Sequence, residues 1–122
     1  MKIGVNLFPS LGGSGYLATR LGQHLADRGH EIHFITYKRP FSLMWEEHSR
    51  VYVDLVDNLD YPLFEDIGVP YTFCLASKML KVTNSSRLDL YHVHYAIPHA
   101  MSAYMAREVS GAPYVLTMHG SD

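Results

Sequence analysis

Two stretches of this sequence carry residue types and spacings that could do chemistry. The first is the turn Phe8-Pro9-Ser10-Leu11-Gly12-Gly13-Ser14-Gly15, between a short apolar run and a helical pattern. The first N–H groups of a helix have no partner within it, and the helix dipole adds partial positive charge at the same end. Glycines let that backbone approach a phosphate or carboxylate with no Cβ in the way. Gly12, Gly13 and Ser14 are therefore candidate anion-binding positions. The residues alone leave a plain strand-to-helix connection equally open. The second stretch is His119-Gly120-Ser121-Asp122. A histidine held by a carboxylate can donate to an oxygen that is gaining charge. Asp122, three residues on, is placed to orient the His119 imidazole if the chain turns back.

Other chemistries fit less well. The dinucleotide fingerprint needs Gly-x-Gly-x-x-Gly and an acid at the end of the second strand. Here the glycines read Gly12-Gly13-Ser14-Gly15, and the second strand ends Thr36-Tyr37-Lys38-Arg39. Lys38 and Arg39 read as a solvated edge. The phosphate-binding loop that ends in Gly-Lys-Ser/Thr is absent, and neither Ser14 nor Ser121 stands in Gly-x-Ser-x-Gly. His92, His94, His99 and His119 invite a zinc reading, but no Cys, Asp or Glu shares a ligand spacing with them, so no metal and no cofactor is expected. His92 and His94 alternate onto one face of a strand. His92 reads as a strand-end histidine satisfied by backbone. His24, His30, His33 and His48 read as ordinary surface or strand positions.

Hydrophobic periodicity supplies the elements that must position these residues. Strands are predicted over residues 2–8, 30–37, 51–56, 88–95 and 113–118. Helices are predicted over 15–28, 71–84 and 98–110. In the first helix Leu17, Leu21 and Leu25 form a candidate buried stripe, and Gly29 is placed to stop it. In the second, Leu75, Met79 and Val82 share a face with Tyr71, and Asn84-Ser85-Ser86 ends it. The third opens at Pro98, favoured in a first turn, and stops at Gly111. Met44-Trp45 forms a short turn, and residues 57–70 form a long loop of the kind that often serves as a lid. Strands alternating with helices give an α/β fold, a Rossmann-like open parallel sheet of about five strands in the order 3-2-1-4-5, with helices on both faces. Its switch point falls between strands one and four, where such sheets bind ligands beyond the carboxyl ends of the strands. The glycine turn, residues 92–99 and residues 117–122 meet there.

Composition narrows the class. The chain has 122 residues, near half of them apolar, with a net charge of −2, one cysteine and eight histidines. That is one domain's length, with no basic excess for nucleic acid. Cys74 has no internal disulfide partner, which fits a reducing compartment. The amino terminus lacks the apolar length of a signal peptide and no segment is long enough to span a bilayer, so a cytoplasmic protein is expected, with no nucleic-acid or membrane partner. An uncovered last strand leaves an edge on which a second copy could pair as a homodimer.

Five runs together resemble the N-terminal domain of family 4 glycosyltransferases: Pro9 to Gly15; Arg28-Gly29-His30-Glu31-Ile32-His33-Phe34-Ile35-Thr36; Leu75-Ala76-Ser77-Lys78-Met79; His92-Val93-His94-Tyr95-Ala96-Ile97-Pro98-His99-Ala100; and His119 to Asp122. The run from His94 to Ala100 is most like members that glycosylate L-malate. The resemblance implies a GT-B enzyme of two domains that transfers N-acetylglucosamine from UDP-N-acetylglucosamine with retention and without metal. It places Gly12 and Gly13 on the donor diphosphate. Ser14, Tyr95 and Thr117 would touch the small anionic acceptor, and His119 would lie beside the donor sugar as the catalytic group. Residues 1–122 would then be part of the N-terminal, acceptor-side domain, without the nucleotide-sugar domain and inactive alone. Two alternatives remain at this point: a family 4 transferase for a phosphorylated inositol or a glycan, and an anion-binding module without catalysis.

Overall fold

A computed structural model describes residues 1–44, 47–57 and 68–122. Five parallel strands make one sheet: β1 (Lys2–Asn6), β2 (Glu31–Thr36), β3 (Val51–Leu55), β4 (Leu90–His94) and β5 (Tyr114–Thr117), in the order β3-β2-β1-β4-β5. The predicted α/β sheet and its strand order are both found. The strands are one to three residues shorter than their apolar runs, because pairing stops before the hydrophobic pattern does. Helices α1 (Gly13–Asp27), α2 (Tyr71–Ser86) and α3 (Ala96–Ser110) connect them. A 3-10 turn covers Phe41–Leu43, one step before the predicted Met44-Trp45 turn. Trp45 and most of the predicted lid, residues 58–67, lie outside the described residues.

Each face of the sheet has its own core. On one side Ile3, Val5, Leu7, Ile32 and Phe34 pack with Ala18 and Ala26 of α1. On the other, Ile35, Tyr91 and Val93 pack with Leu75, Met79 and Val82 of α2 and with Ala103 and Ala106 of α3. The predicted α2 face is therefore the buried one, although α2 runs through Ser86 and ends at a left-handed Arg87 (φ 60°). Of the stripe predicted for α1, Leu25 packs against the core and the other two leucines are a correction. Leu17 is 52% and Leu21 38% exposed, and the buried face is Gly15, Ala18, Thr19, Gly22 and Ala26. Close approach explains this: a Cβ on Gly22 would come within 2.5 Å of the Phe34 ring. The small residues recur at helical spacing just as the leucines do, so periodicity alone could not choose between them.

At the far side β5 is an edge strand, with Val115, Leu116 and Met118 all exposed. Among the described residues no helix is long and apolar enough to cross a membrane.

Candidate functional site

The sheet order makes β1, β4 and β5 neighbours, so the glycine turn, Tyr95 and the 117–122 segment all leave the same end of the sheet. The turn braces itself. Ser10 N–H donates to Phe8 O at 2.8 Å, and Ser10 Oγ donates to Gly12 O at 2.8 Å. Gly13 takes a left-handed conformation, φ 60°, as α1 opens. Gly15 packs so tightly under the turn that a Cβ would lie 2.3 Å from Phe8 O. No side chain caps α1, and no acidic residue stands in its first turn. The partial positive charge at that helix start is thus not answered by a carboxylate of its own first turn.

Across the switch point, Tyr95 adopts φ 79°, a left-handed conformation a tyrosine rarely takes and one that costs roughly 1–3 kcal/mol. Its backbone N–H is held by Thr117 O at 3.0 Å, and its hydroxyl hydrogen-bonds Ser121 Oγ. Its ring meets Phe8 edge-on at 5.2 Å and stacks on His119 at 6.0 Å. A chain of rings therefore joins the base of the glycine turn to the histidine that follows β5. The elements that the sequence gathers at one crevice are in contact there.

Behind this wall lies a cluster of imidazoles. His94 is 1% and His99 0% exposed. His94 Nδ1 is 3.2 Å from His119 Nε2, and the His92 and His94 rings are 4.2 Å apart, as expected of one strand face. Burial first, and then the neighbouring His92, His119 and His99, push the His94 pKa down to about 3. Burial lowers His92 as well, with His119 adding to it, and burial lowers His99. The three rings are neutral near pH 7 and carry no imidazolium charge. Among the described residues no three His, Cys, Asp or Glu side chains form a group that could hold a metal.

Two expectations need correcting here. His92 is satisfied by a side chain rather than by backbone: its Nε2 and Thr117 Oγ1 are 2.8 Å apart. Asp122 does not bond the His119 imidazole. Its Oδ1 accepts the backbone N–H of His119 at 2.9 Å and of Gly120 at 3.0 Å, and its Oδ2 accepts Ala96 N–H at 2.9 Å. Those donors, Ala96 foremost, hold its carboxyl below the usual carboxylate range. Asp122 thus fixes the turn that carries His119, and His94 contacts the ring. The sequence signal for His94 as the partner of His119 is its place two residues beyond His92 on the same strand face, which becomes telling only once β4 and β5 pair. Thr117 Oγ1 is engaged with His92 but retains acceptor capacity. Ser14 is half-buried in the opening turn of α1.

His33 is a third correction. It is 4% exposed, not an ordinary strand position. Asp54 Oδ2 and Glu31 Oε2 each lie 2.9 Å from one of its ring nitrogens, and Tyr52 stacks on it at 4.8 Å. Burial works against its charge, but the hydrogen bonds to Asp54 and Glu31 outweigh burial and raise its pKa.

Lys38 and Arg39 are exposed and, with Pro9, Ser10, Leu11, Phe41 and Met44, line a cavity of about 470 Å³ beside the glycine turn. A second cavity, of about 400 Å³, lies between α1 and the start of β3, lined by Arg20, Asp27 and His48 among others. Arg39 lines both cavities, and among the described residues they share no other.

The C-terminal domain of a Pyrococcus furiosus hydrogenase superposes with a TM-score of 0.58 over 94% of this chain and 88% of its own, at 12% identity, which shows the fold alone. The N-acetyl-alpha-D-glucosaminyl L-malate synthase of Bacillus anthracis is 47% identical over 100% of this chain, which covers 32% of that enzyme. An uncharacterized glycosyltransferase of Methanocaldococcus jannaschii is 28% identical over 94% of the chain and 30% of its own length. The chain thus spans about a third of the curated relatives it matches. The profile of Glycosyltransferase Family 4 matches residues 11–122, from within the glycine turn through Asp122. The chain belongs to glycosyltransferase family 4.

Proposed function

We propose that this chain is the acceptor-side domain of a two-domain retaining transferase that moves N-acetylglucosamine from UDP-N-acetylglucosamine to L-malate. The observation that carries the reading is the 47% identity, over the whole chain, to a protein named for that product. The geometry supports it. Gly12 and Gly13 offer backbone N–H groups to the donor diphosphate, where negative charge grows as the sugar departs. Donors fixed before the reaction stabilise such charge without reorganising. Ser14, Tyr95 and Thr117 face the acceptor, and His119 lies beside the donor sugar. Asp122 holds the His119 turn through backbone N–H groups.

The test is incubation of the full-length protein with UDP-N-acetylglucosamine and L-malate. The product is read by mass spectrometry and its anomeric configuration by NMR. An α-linked N-acetylglucosaminyl malate is expected; UDP release without that product would refute the acceptor. The isolated 122-residue chain is expected to give no turnover.

One observation favours a second reading. Lys38 and Arg39 line the cavity beside Pro9, Ser10 and Leu11, where a phosphorylated acceptor would find two cations. An inositol phosphate arm in the same assay separates the two.

A further inference from the structure

We infer that His94 is a positioning residue: it donates from Nδ1 to His119 Nε2, which fixes the proton of neutral His119 on Nδ1 and makes that N–H the one the ring offers to a ligand. The inference rests on the proposed role of His119 beside the donor sugar and adds which atom of it does the work.

His99 Nδ1 lies 2.6 Å from His94 O. A carbonyl only accepts, so His99 carries its proton on Nδ1, and its buried Nε2 is a bare lone pair with no partner. His94 allows the same reasoning. Its Nε2 is also buried and without a partner, while its Nδ1 has one, His119 Nε2 at 3.2 Å. A proton on Nε2 would bury an unpaired N–H donor. Genuinely orphaned buried donors are rare, and one costs about 1–3 kcal/mol. A proton on Nδ1 makes the hydrogen bond and leaves only a lone pair. His94 is therefore the Nδ1–H tautomer. Burial keeps it uncharged, so it supplies one donor and no second. His119 Nε2 must then accept, and the neutral ring keeps its proton on Nδ1. The Tyr95 ring stacked on His119 and the Asp122 clamp on its backbone restrict the other ways the ring could turn. His94 thus fixes the His119 tautomer by donating to Nε2, where a carboxylate could only accept and would fix the opposite one, and it places no negative charge near an anionic substrate.

The test uses full-length protein labelled with ¹⁵N at histidine and long-range ¹H–¹⁵N correlation spectra near pH 7.5. Expected are protonated Nδ1 and bare Nε2 on both His94 and His119; a proton on Nε2 of either overturns the inference. Two variants extend it. In His94→Asn the amide nitrogen can stand where Nδ1 stood, so His119 is expected to keep its tautomer, with kcat within about 3-fold. In His94→Leu the donor is gone. The His119 signals should then shift to a tautomer mixture, and kcat should fall about 10-fold or more with KM little changed, a modest share of the ~10²–10⁴ that positioned proton donors contribute. Equal loss in both variants would overturn the inference. If either variant fails to fold, the spectrum of the native protein still decides. The spectra and the turnover assay fail separately: the expected tautomers without malate turnover would uphold the hydrogen bond and sink the proposed function, and turnover with His119 protonated on Nε2 would do the reverse.

Discussion

Asp122 Oδ2 accepts the backbone N–H of Ala96 at 2.9 Å, which ties the turn after β5 to the opening of α3. The other oxygen takes the N–H groups of His119 and Gly120. One carboxylate thus joins two strand ends at the place where His119 must be held.

Removing that clamp should affect rate more than stability. Asp122→Ala frees three N–H groups and lets the His119 turn relax. Misplacement of a reacting group by about 1 Å can cost ~10²-fold, so kcat of the full-length enzyme is expected to fall about 10- to 100-fold. Asp122→Asn keeps an acceptor oxygen and should lose less. Steady-state kinetics with both variants check this; equal and unchanged rates would show that the clamp is idle.

The glycines of the turn should divide by geometry. Gly15→Ala drives a Cβ to 2.3 Å from Phe8 O and should destabilise by about 1–3 kcal/mol. Gly13→Ala meets open space but keeps φ at 60°, at a cost of about 1–2 kcal/mol. Gly12→Ala meets neither obstacle, with φ −135° and nothing within 4 Å, and should cost under about 1 kcal/mol. The order of the unfolding midpoints, Gly12→Ala highest and Gly15→Ala lowest, is the readout.

Stability should depend on pH through two sets of histidines with opposite sign. His33 has a raised folded pKa. Its contribution is full below the unfolded value near 6.5 and is lost as pH climbs through the folded one. His92, His94 and His99 have lowered folded values. Their contribution is present above about 6.5 and is lost as pH falls, down to about 3 for His94. A plot of Tm against pH should therefore fall away on both sides of neutrality. His33→Asn is expected to flatten the alkaline side and leave the acid side in place. An unchanged alkaline side would show that the Glu31–His33–Asp54 bridge contributes nothing.

Which parts of this were legible in the sequence follows from the range of each interaction. The strands were legible because Ile3, Ile32 and Val93 sit in apolar runs that suit buried parallel strands, and the sheet order and crevice followed from the alternation of those strands with helices. The buried face of α1 was misread because Leu17 and Leu21 are more apolar than Gly22, and only the Phe34 ring behind it shows why a glycine is needed. The His94–His119 contact and the His33 bridge both join residues more than twenty apart, His119 to His94 and His33 to Asp54. They depend on strand pairing and register, which no single segment encodes. Asp122 is expected from the sequence on the His119 imidazole, but its short side chain reaches the backbone N–H groups of its own turn and of Ala96 instead.

In the proposed function the uncapped opening of α1 receives the negatively charged acceptor at Ser14. Calorimetric titration of L-malate into the full-length protein, native and Ser14→Ala, tests it most directly. Losing one hydrogen bond to a charged group is worth roughly 1.5–3 kcal/mol, so Ser14→Ala is predicted to raise Kd about 10- to 100-fold. An unchanged Kd, or no malate binding to the native protein, would contradict it.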